Sequence, residues 1–267
     1  MISMNAPVGE PEQNLDRISG WVAKAKRSGA AIVCFPEMNM TGYTTRKAII
    51  NAAEPIPGPS SKALSGIAKK NGITILSGMA EKDAGGQIFA SHLVTAPDGV
   101  SGVYRKLHIA PAEQTVFTAG NEIPLFKTHG ITFGIQLCYD AHFPELTTRM
   151  AMQGAELIFI PHASPRGTPN EKLESWMRHL PARAFDNGIF IAACNQTGRN
   201  RKGLEFPGLS MVLNPSGKII AVDTSGRESM LVVDLKASDM ASVRNHRMRF
   251  FRPNQRSDLS SLPLLFH

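Results

Sequence analysis

Cysteine is scarce in this chain. Its 267 residues include three, Cys34, Cys138 and Cys194, too few and too widely separated for a disulfide framework or a CxxC-type zinc site. Reduced thiols in the cytoplasm are the expectation. No stretch approaches the ~18 consecutive apolar residues of a membrane span, and the opening MISMNAPVGE lacks the basic, apolar and small-residue succession of a secretory signal. Glycine-rich phosphate loops are missing as well. Neither GxGxxG nor GxxxxGKS/T occurs, which removes the sequence case for a dinucleotide or for ATP. Acidic residues are outnumbered, 22 against 29 basic ones, for a formal charge of +7. The basic residues are spread out except in VRNHRMRFFRPNQR, which concentrates five arginines. Helix-turn-helix, zinc-finger and RNA-binding signatures are all absent, so no nucleic-acid function is expected and the basic segment reads as a tail that packs on a partner subunit.

What is present is an alternation of strand-like and helix-like segments without repeats or low-complexity linkers. With 42% hydrophobic residues the chain can bury a substantial core, and residues 1–267 read as one domain with 243–267 as its tail. The strands are continuous apolar runs, as in a sheet whose face is covered by helices. PEQNLDRISGWVAKAKRSG predicts a helix closed by Gly29, AAIVCFPE a strand, SSKALSGIAKKNG a helix closed by Gly72, and ITILSGMAEK a strand. QIFASHLVTAPDGVSGVYRK predicts a hairpin about PDG. After ITFGIQLC come a helix through Met150, the strand ELIFIPHAS, a helix over about residues 170 to 187, the strand GIFIAACNQTG, a second hairpin LSMVLNPSGKIIAVDTS and the strand SMLVVDLK. Two hairpins among strand–helix units point to an α/β fold with mixed sheets and not to a simple doubly wound one.

Chemistry concentrates at three strand ends. Cys138 closes ITFGIQLC, and the following FPELTTR opens a helix with Pro144 and Glu145 in early positions. A helix start offers unpaired N–H groups and partial positive charge, which favour thiolate and stabilise an oxyanion. Cys34 and Cys194 lack such a setting and read as buried hydrophobes. A thiol attacking a carbonyl or nitrile carbon needs a base and donors for the charge that develops. Glu37, after AAIVCFP, is the candidate base, its pKa raised by burial. Lys106 and the backbone N–H of Tyr139 are the candidate donors.

Taken together, FPEMNMTGY, YRKLHIAPAE and GIQLCYDAHFPE resemble, in order and separation, the Glu, Lys and Cys motifs of the nitrilase, or carbon–nitrogen hydrolase, superfamily. The resemblance covers nearly the whole chain. It implies an α-β-β-α sandwich, with Glu37 as general base, Lys106 stabilising the tetrahedral intermediate, Cys138 forming a thioester and Glu113 supporting Lys106 and orienting substrate. It also implies a homodimer or higher homo-oligomer, a small-molecule substrate, no metal and no organic cofactor. True nitrilases have a CWEN-type sequence at the cysteine. CYDAHFPE looks instead like the amidase and N-carbamoyl-amine hydrolase branches, so the expected reaction is hydrolysis of an amide or N-carbamoyl compound, with nitrile hydrolysis or a catalytically silent metabolite- or protein-binding relative as the alternative. D-carbamoylases carry an arginine pair where Ala141 and His142 stand here, which argues against that activity. Tyr43, His142, Phe143, His162 and Arg166 are the candidate substrate-binding residues, Arg166 for a carboxylate. A Cys–His hydrolase using His142 or His162 is a further reading. Family members also open with a fuller first strand, whereas only Met1 to Met4 precede Asn5; a short or truncated strand is expected to lower stability without removing chemistry.

Overall fold

Apolar residues in the first long helix recur at helical spacing. Asn14, Ile18, Val22 and Ala25 form its buried face, Pro11 and Glu12 stand in its first turn, and Lys24, Lys26 and Arg27 in its last. That charge order suits the helix dipole. The computed structural model describes residues 1–256 and 258. In chain order the first half has β1 (Ile2–Ser3), α1 (Pro11–Arg27), β2 (Ile32–Cys34), α2 (Ala48–Ala52), α3 (Pro59–Asn71), β3 (Thr74–Lys82), β4 (Ile88–Ala96) and β5 (Gly99–Arg105). The hairpin β6 (Phe126–Thr128) and β7 (Ile131–Ile135) precedes a 3-10 turn over Cys138–His142, then α4 (Pro144–Met152), β8 (Leu157–His162), α5 (Pro169–Met177) and α6 (Leu180–Asn187). The chain continues through β9 (Phe190–Asn195), β10 (Thr197–Arg199), β11 (Glu205–Pro207), β12 (Ser210–Leu213), β13 (Ile219–Asp223), β14 (Ser229–Met230) and α7 (Ala237–Arg244).

Two mixed sheets carry the fold. One has the order β2-β3-β4-β5 and the other β13-β12-β9-β8-β7-β6. In the first, β2 and β3 run parallel and the rest antiparallel. In the second, β7, β8 and β9 are parallel, flanked by antiparallel neighbours. Strand β3 explains why apolar runs and not strict alternations appear. Its Ile75 and Met79 pack with Ile18, Val22, Leu64 and Ala68 of α1 and α3, while Leu76 and Ala80 join Ile135, Phe159 and Ala193 of the other sheet. Successive residues point to opposite faces and both faces are covered. Leu146, Met150, Leu180 and Ala184 of α4 and α6 extend the second core. The result is an α-β-β-α sandwich. Among the described residues no helix is long and apolar enough to cross a membrane.

Three local expectations need correction. The helix over 170 to 187 is two, α5 and α6, because Pro181 supplies no N–H for a continuous helix and stands in the first turn of the second. SMLVVDLK contributes only Ser229 and Met230 as strand, paired with Ser3 and Ile2. Cys138 lies in the short 3-10 turn and not at the start of α4. The three-residue strands β6, β10 and β11 and the short α2 and α7 have no periodicity long enough to be read from sequence. In the tail, Val243 is buried, Phe250 approaches Gly188 and the rings of Phe251 and Phe185 lie 5.5 Å apart. Residues 257 and 259–267, which complete the predicted tail, lie outside the described residues.

Candidate active site

The sheets present their strand ends to one buried cluster. Glu37 follows β2 in a loop that Asn39 fastens to β3, its Oδ1 accepting from Gly78 N at 2.7 Å and Ser77 Oγ at 3.1 Å. Position 78 must be glycine for this approach: a Cβ there would stand 2.5 Å from Met38 N and 3.3 Å from the Glu37 carbonyl carbon. Lys106 is the first residue beyond β5 and remains tied to the sheet by its N–H donating to Ala90 O at 2.9 Å. Its Nζ donates to Glu37 Oε1 at 2.8 Å and to the Glu113 carboxylate at 3.0 Å. Glu113 also accepts from Tyr43 Oη at 2.8 Å and from Ala110 N at 3.0 Å, and Glu37 Oε2 accepts from Ala163 N at 3.0 Å. Glu37, Lys106 and Glu113 are 1%, 1% and 3% exposed. A lone charge so buried would be prohibitively costly, and mutual pairing with amide hydrogen bonds is what permits the set.

Cys138 completes the cluster under backbone strain. Its φ of 45° is left-handed, a conformation costing a non-glycine residue roughly 1–3 kcal/mol and sustained only by surrounding structure. The buried Asp140 supplies that support. Its Oδ2 accepts from Leu137 N at 3.0 Å and Tyr104 Oη at 2.8 Å, and its Oδ1 faces His108 N at 2.8 Å and His108 Nδ1 at 2.9 Å. One carboxylate thus joins the cysteine turn to the segment that carries Lys106. Replacing it by Asn turns an acceptor into a donor against two donors, and D140N is expected to lower unfolding free energy by about 1–3 kcal/mol. Denaturant titration against the exposed D98N as control checks this; equal stability of the two variants contradicts the account.

Electrostatics separate the roles. Burial, opposed by Lys106 and aided by Glu113, pushes the Glu37 carboxyl up to about 7. Burial opposes the Lys106 charge, but Glu37 and Glu113 outweigh it and raise the ammonium. Burial and then the Glu37 charge push the Cys138 thiol up to about 12, with Lys106 pulling the other way. The helix-start effect is outweighed here, so the thiol is held protonated and needs a base during attack. Tyr139, second in the 3-10 turn that begins at Cys138, has no acceptor for its N–H within the turn.

The remaining predicted residues divide. Tyr43 is buried and its hydroxyl is engaged by Glu113, which pushes that phenol upward together with burial, the larger effect. Phe143 is half-buried and stacks on His108 with centroids 3.7 Å apart. His162 is 3% exposed with its ring 4.5 Å from Trp176. His142 and Arg166 have exposed side chains, Arg166 with φ 72° and its N–H donating to Glu205 O. Sequence reading missed Asp140, whose signal was an acid beside the cysteine in an otherwise apolar stretch. It also missed Lys172 and Ser164, joined by a 2.7 Å hydrogen bond, because a lysine in an amphipathic helix ordinarily faces solvent.

Comparison with known proteins bears on the whole chain. Residues 2–245 match the Carbon-nitrogen hydrolase family. A nitrilase from Pyrococcus abyssi is 30% identical over 251 residues, covering 92% of this chain and 91% of the relative. An omega-amidase from Bos taurus is 31% identical over 258 residues, with 92% and 91% covered. Among solved structures, an amidase from Nesterenkonia sp. superposes with a TM-score of 0.83 at 25% identity, covering 97% of this chain and 93% of its own. A variant of the amidase from Nesterenkonia sp. AN1, carrying acrylamide added at its active-site cysteine, has a TM-score of 0.79 at 26% identity, with 91% and 95% covered.

Proposed function

The chain belongs to the carbon–nitrogen hydrolase family, and we propose that it is an amidase cleaving the C–N bond of a small primary amide through a thioester on Cys138. The observation that carries this is Lys106 held at 2.8 Å from Glu37 and 3.0 Å from Glu113, in a buried cluster whose charges act on the Cys138 thiol. Cys138 Sγ attacks the carbonyl carbon as its proton passes to Glu37, and Lys106 Nζ with the Tyr139 N–H stabilises the oxyanion. Collapse expels ammonia carrying the proton returned by Glu37. Water, deprotonated by the same carboxylate, then cleaves the thioester and restores the thiol. Glu113 and Tyr43 hold the Lys106 head in place. N-carbamoyl substrates remain the second choice, since a urea carbonyl places the same demands on the site. The same reading takes residues 1–267 as one domain whose tail, from 243 on, supports a homo-oligomer; Phe251 and Met248, 42% and 76% exposed, offer apolar surface for it.

The direct test is ammonia release from small amides together with a rapid acid quench and mass analysis of the peptide containing Cys138. An acyl mass on that peptide is expected; steady ammonia release from a Cys138→Ala variant would refute the thioester. The pH profile gives a second check. With the base at about 7, kcat/KM is expected to rise with pH along a limb centred near there, because the free-enzyme carboxylate must be ionised. Glu113 is among the groups that raise Glu37, so E113Q removes an anion and should move the limb to lower pH. A limb that stays put or moves upward in E113Q is incompatible with Glu37 as the titrating base.

A further inference from the structure

Two neighbouring side-chain amides at the end of β9 grip the candidate base at both of its ends. Glu37 is held at its backbone carbonyl by Gln196, whose Nε2 donates at 2.7 Å, and at its carboxylate by the Ala163 N–H at 3.0 Å. Ala163 is the first residue beyond β8, and the pairing of β8 with β9 ends at His162 and Asn195. From there the Asn195 side chain takes over. Its Oδ1 accepts from Ser164 N at 2.9 Å and its Nδ2 donates to Ser164 O at 3.0 Å, so one amide pairs both backbone groups of Ser164 as a neighbouring strand would. The Ser164 side chain is tied as well, its Oγ accepting from Lys172 Nζ at 2.7 Å.

The grip is itself anchored. Asn195 N donates to Leu209 O at 2.8 Å, Gln196 N to His162 O at 3.3 Å, and Gln196 O accepts from Gly208 N at 3.0 Å. Chain neighbours on both sides therefore fix the residues that carry the amides, and both are buried. Gln196 Oε1 has no hydrogen-bond partner among the described residues. A buried amide paired at one end only costs free energy that an apolar side chain of similar size avoids. Packing does not account for a glutamine here, whereas its bond to Glu37 O does. Asn195 is equally specific, since Leu would fill its volume with neither group and Asp would lack the donor.

We propose that Asn195 and Gln196 are positioning residues for the hydrolysis: Gln196 fixes the Glu37 backbone, and Asn195 fixes, through Ser164, the Ala163 N–H that aims the Glu37 carboxylate. This rests on Glu37 being the base of the thioester mechanism. Neither amide bonds to the carboxylate itself; both act through backbone groups. The carboxylate has to meet the Cys138 proton, the leaving ammonia and the attacking water in turn, and a displacement of about 1 Å costs such steps about 10²-fold. The two amides differ in one consequence. The Ala163 hydrogen bond also favours the ionised carboxylate, so loosening Asn195 alters the pH dependence, and loosening Gln196 alters only the placement.

The test follows kcat, KM and the ascending pH limb of kcat/KM for butyramide in the full chain, with active sites counted by labelling Cys138 with an α-halo amide. N195L is expected to move the limb, centred near 7 in the wild type, upward by about one pH unit, because a hydrogen bond to a carboxylate shifts its ionisation about tenfold or more. Q196M should leave the limb in place and lower kcat about 100-fold with KM within about threefold. N187L, which deletes the bond from another buried amide to Arg183 O, controls for lost stability and should change neither quantity. Should N195L not fold, N195S, which buries no added apolar group, is read in the same way. A limb unmoved in the folded Asn195 variant overturns the role of Asn195, and a Q196M kcat within about threefold of wild type overturns that of Gln196. A limb shifted as far in N187L overturns both by assigning the effect to a loosened fold. E113Q separates these failures from that of the base: if its limb moves down while that of N195L stays, positioning alone is overturned, and if neither moves, Glu37 is not the titrating base and both readings fall.

Discussion

Glu37→Gln is expected to lower kcat on the best amide by about four orders of magnitude while leaving the fold in place. The substitution keeps the shape but leaves one acceptor for two donors, Lys106 Nζ and Ala163 N–H, now held at 2.8 and 3.0 Å, at a stability cost of about 1–3 kcal/mol, and it removes the ability to take and return a proton. General acid–base catalysis contributes about 10²–10⁴, and here one carboxylate is used in both acylation and deacylation. With the thiol pushed up to about 12, thiolate formed without the base is on the order of one part in 10⁵ at neutral pH. That small fraction leaves a slow residual acylation. A reactive α-halo amide should consequently still label Cys138 in E37Q, with its mass retained, while ammonia release from an ordinary amide falls to the background set by C138A. Measured kcat within tenfold of wild type would shift the base to a histidine, the Cys–His reading. In that case H162Q would have to abolish turnover, although His162 is held neutral by burial far below its ordinary pKa.

How much of this was legible in the sequence depends on the range of each interaction. Apolar runs and closing glycines gave α1, α3, β3 and the PDG hairpin because those signals are local; Gly72, for example, closes α3 at φ 57°. The sandwich itself came from the resemblance of three motifs. Residues 37, 106 and 138 are far apart in sequence, and only the alignment of strand ends in two sheets brings them together. The charge state of Cys138 is not readable from its sequence setting, for a physical reason. A helix start favours thiolate, but desolvation and the neighbouring Glu37 disfavour it more strongly, and how far a half-buried thiol is desolvated is not written in a strand-to-helix junction. Asp140 and Lys172 were missed for the opposite reason, since their residue types fit an ordinary helix start and a solvated helix face. Their roles follow from partners distant along the chain: Tyr104 and His108 for Asp140, and for Lys172 a serine eight residues before it that Asn195 fixes in place.

Replacing Lys106 by Met should cost about as much activity as E37Q and, unlike it, substantial stability. Loss of one oxyanion donor alone lowers kcat by about 10²–10³. The base suffers too, because the Lys106 charge is the main influence holding the Glu37 carboxyl down against burial; without it Glu37 rises beyond about 7 and is protonated at neutral pH. Two buried carboxylates that shared one ammonium at 2.8 and 3.0 Å are left without it, a change that typically destabilises by about 3–5 kcal/mol. The pH dependence of that loss identifies its cause. A carboxyl whose folded-state pKa exceeds its unfolded value of about 4.3 contributes stability that is complete below the unfolded value and declines as pH rises through the folded one. K106M raises the folded value further, so its deficit relative to wild type should be larger at pH 8 than at pH 5. Adding E37Q to K106M removes one uncompensated charge and should recover part of the loss at pH 8 but little at pH 5. Thermal denaturation of the three chains at both pH values reads this directly, and a deficit equal at pH 5 and 8 would mean that Lys106 supports the fold by packing alone.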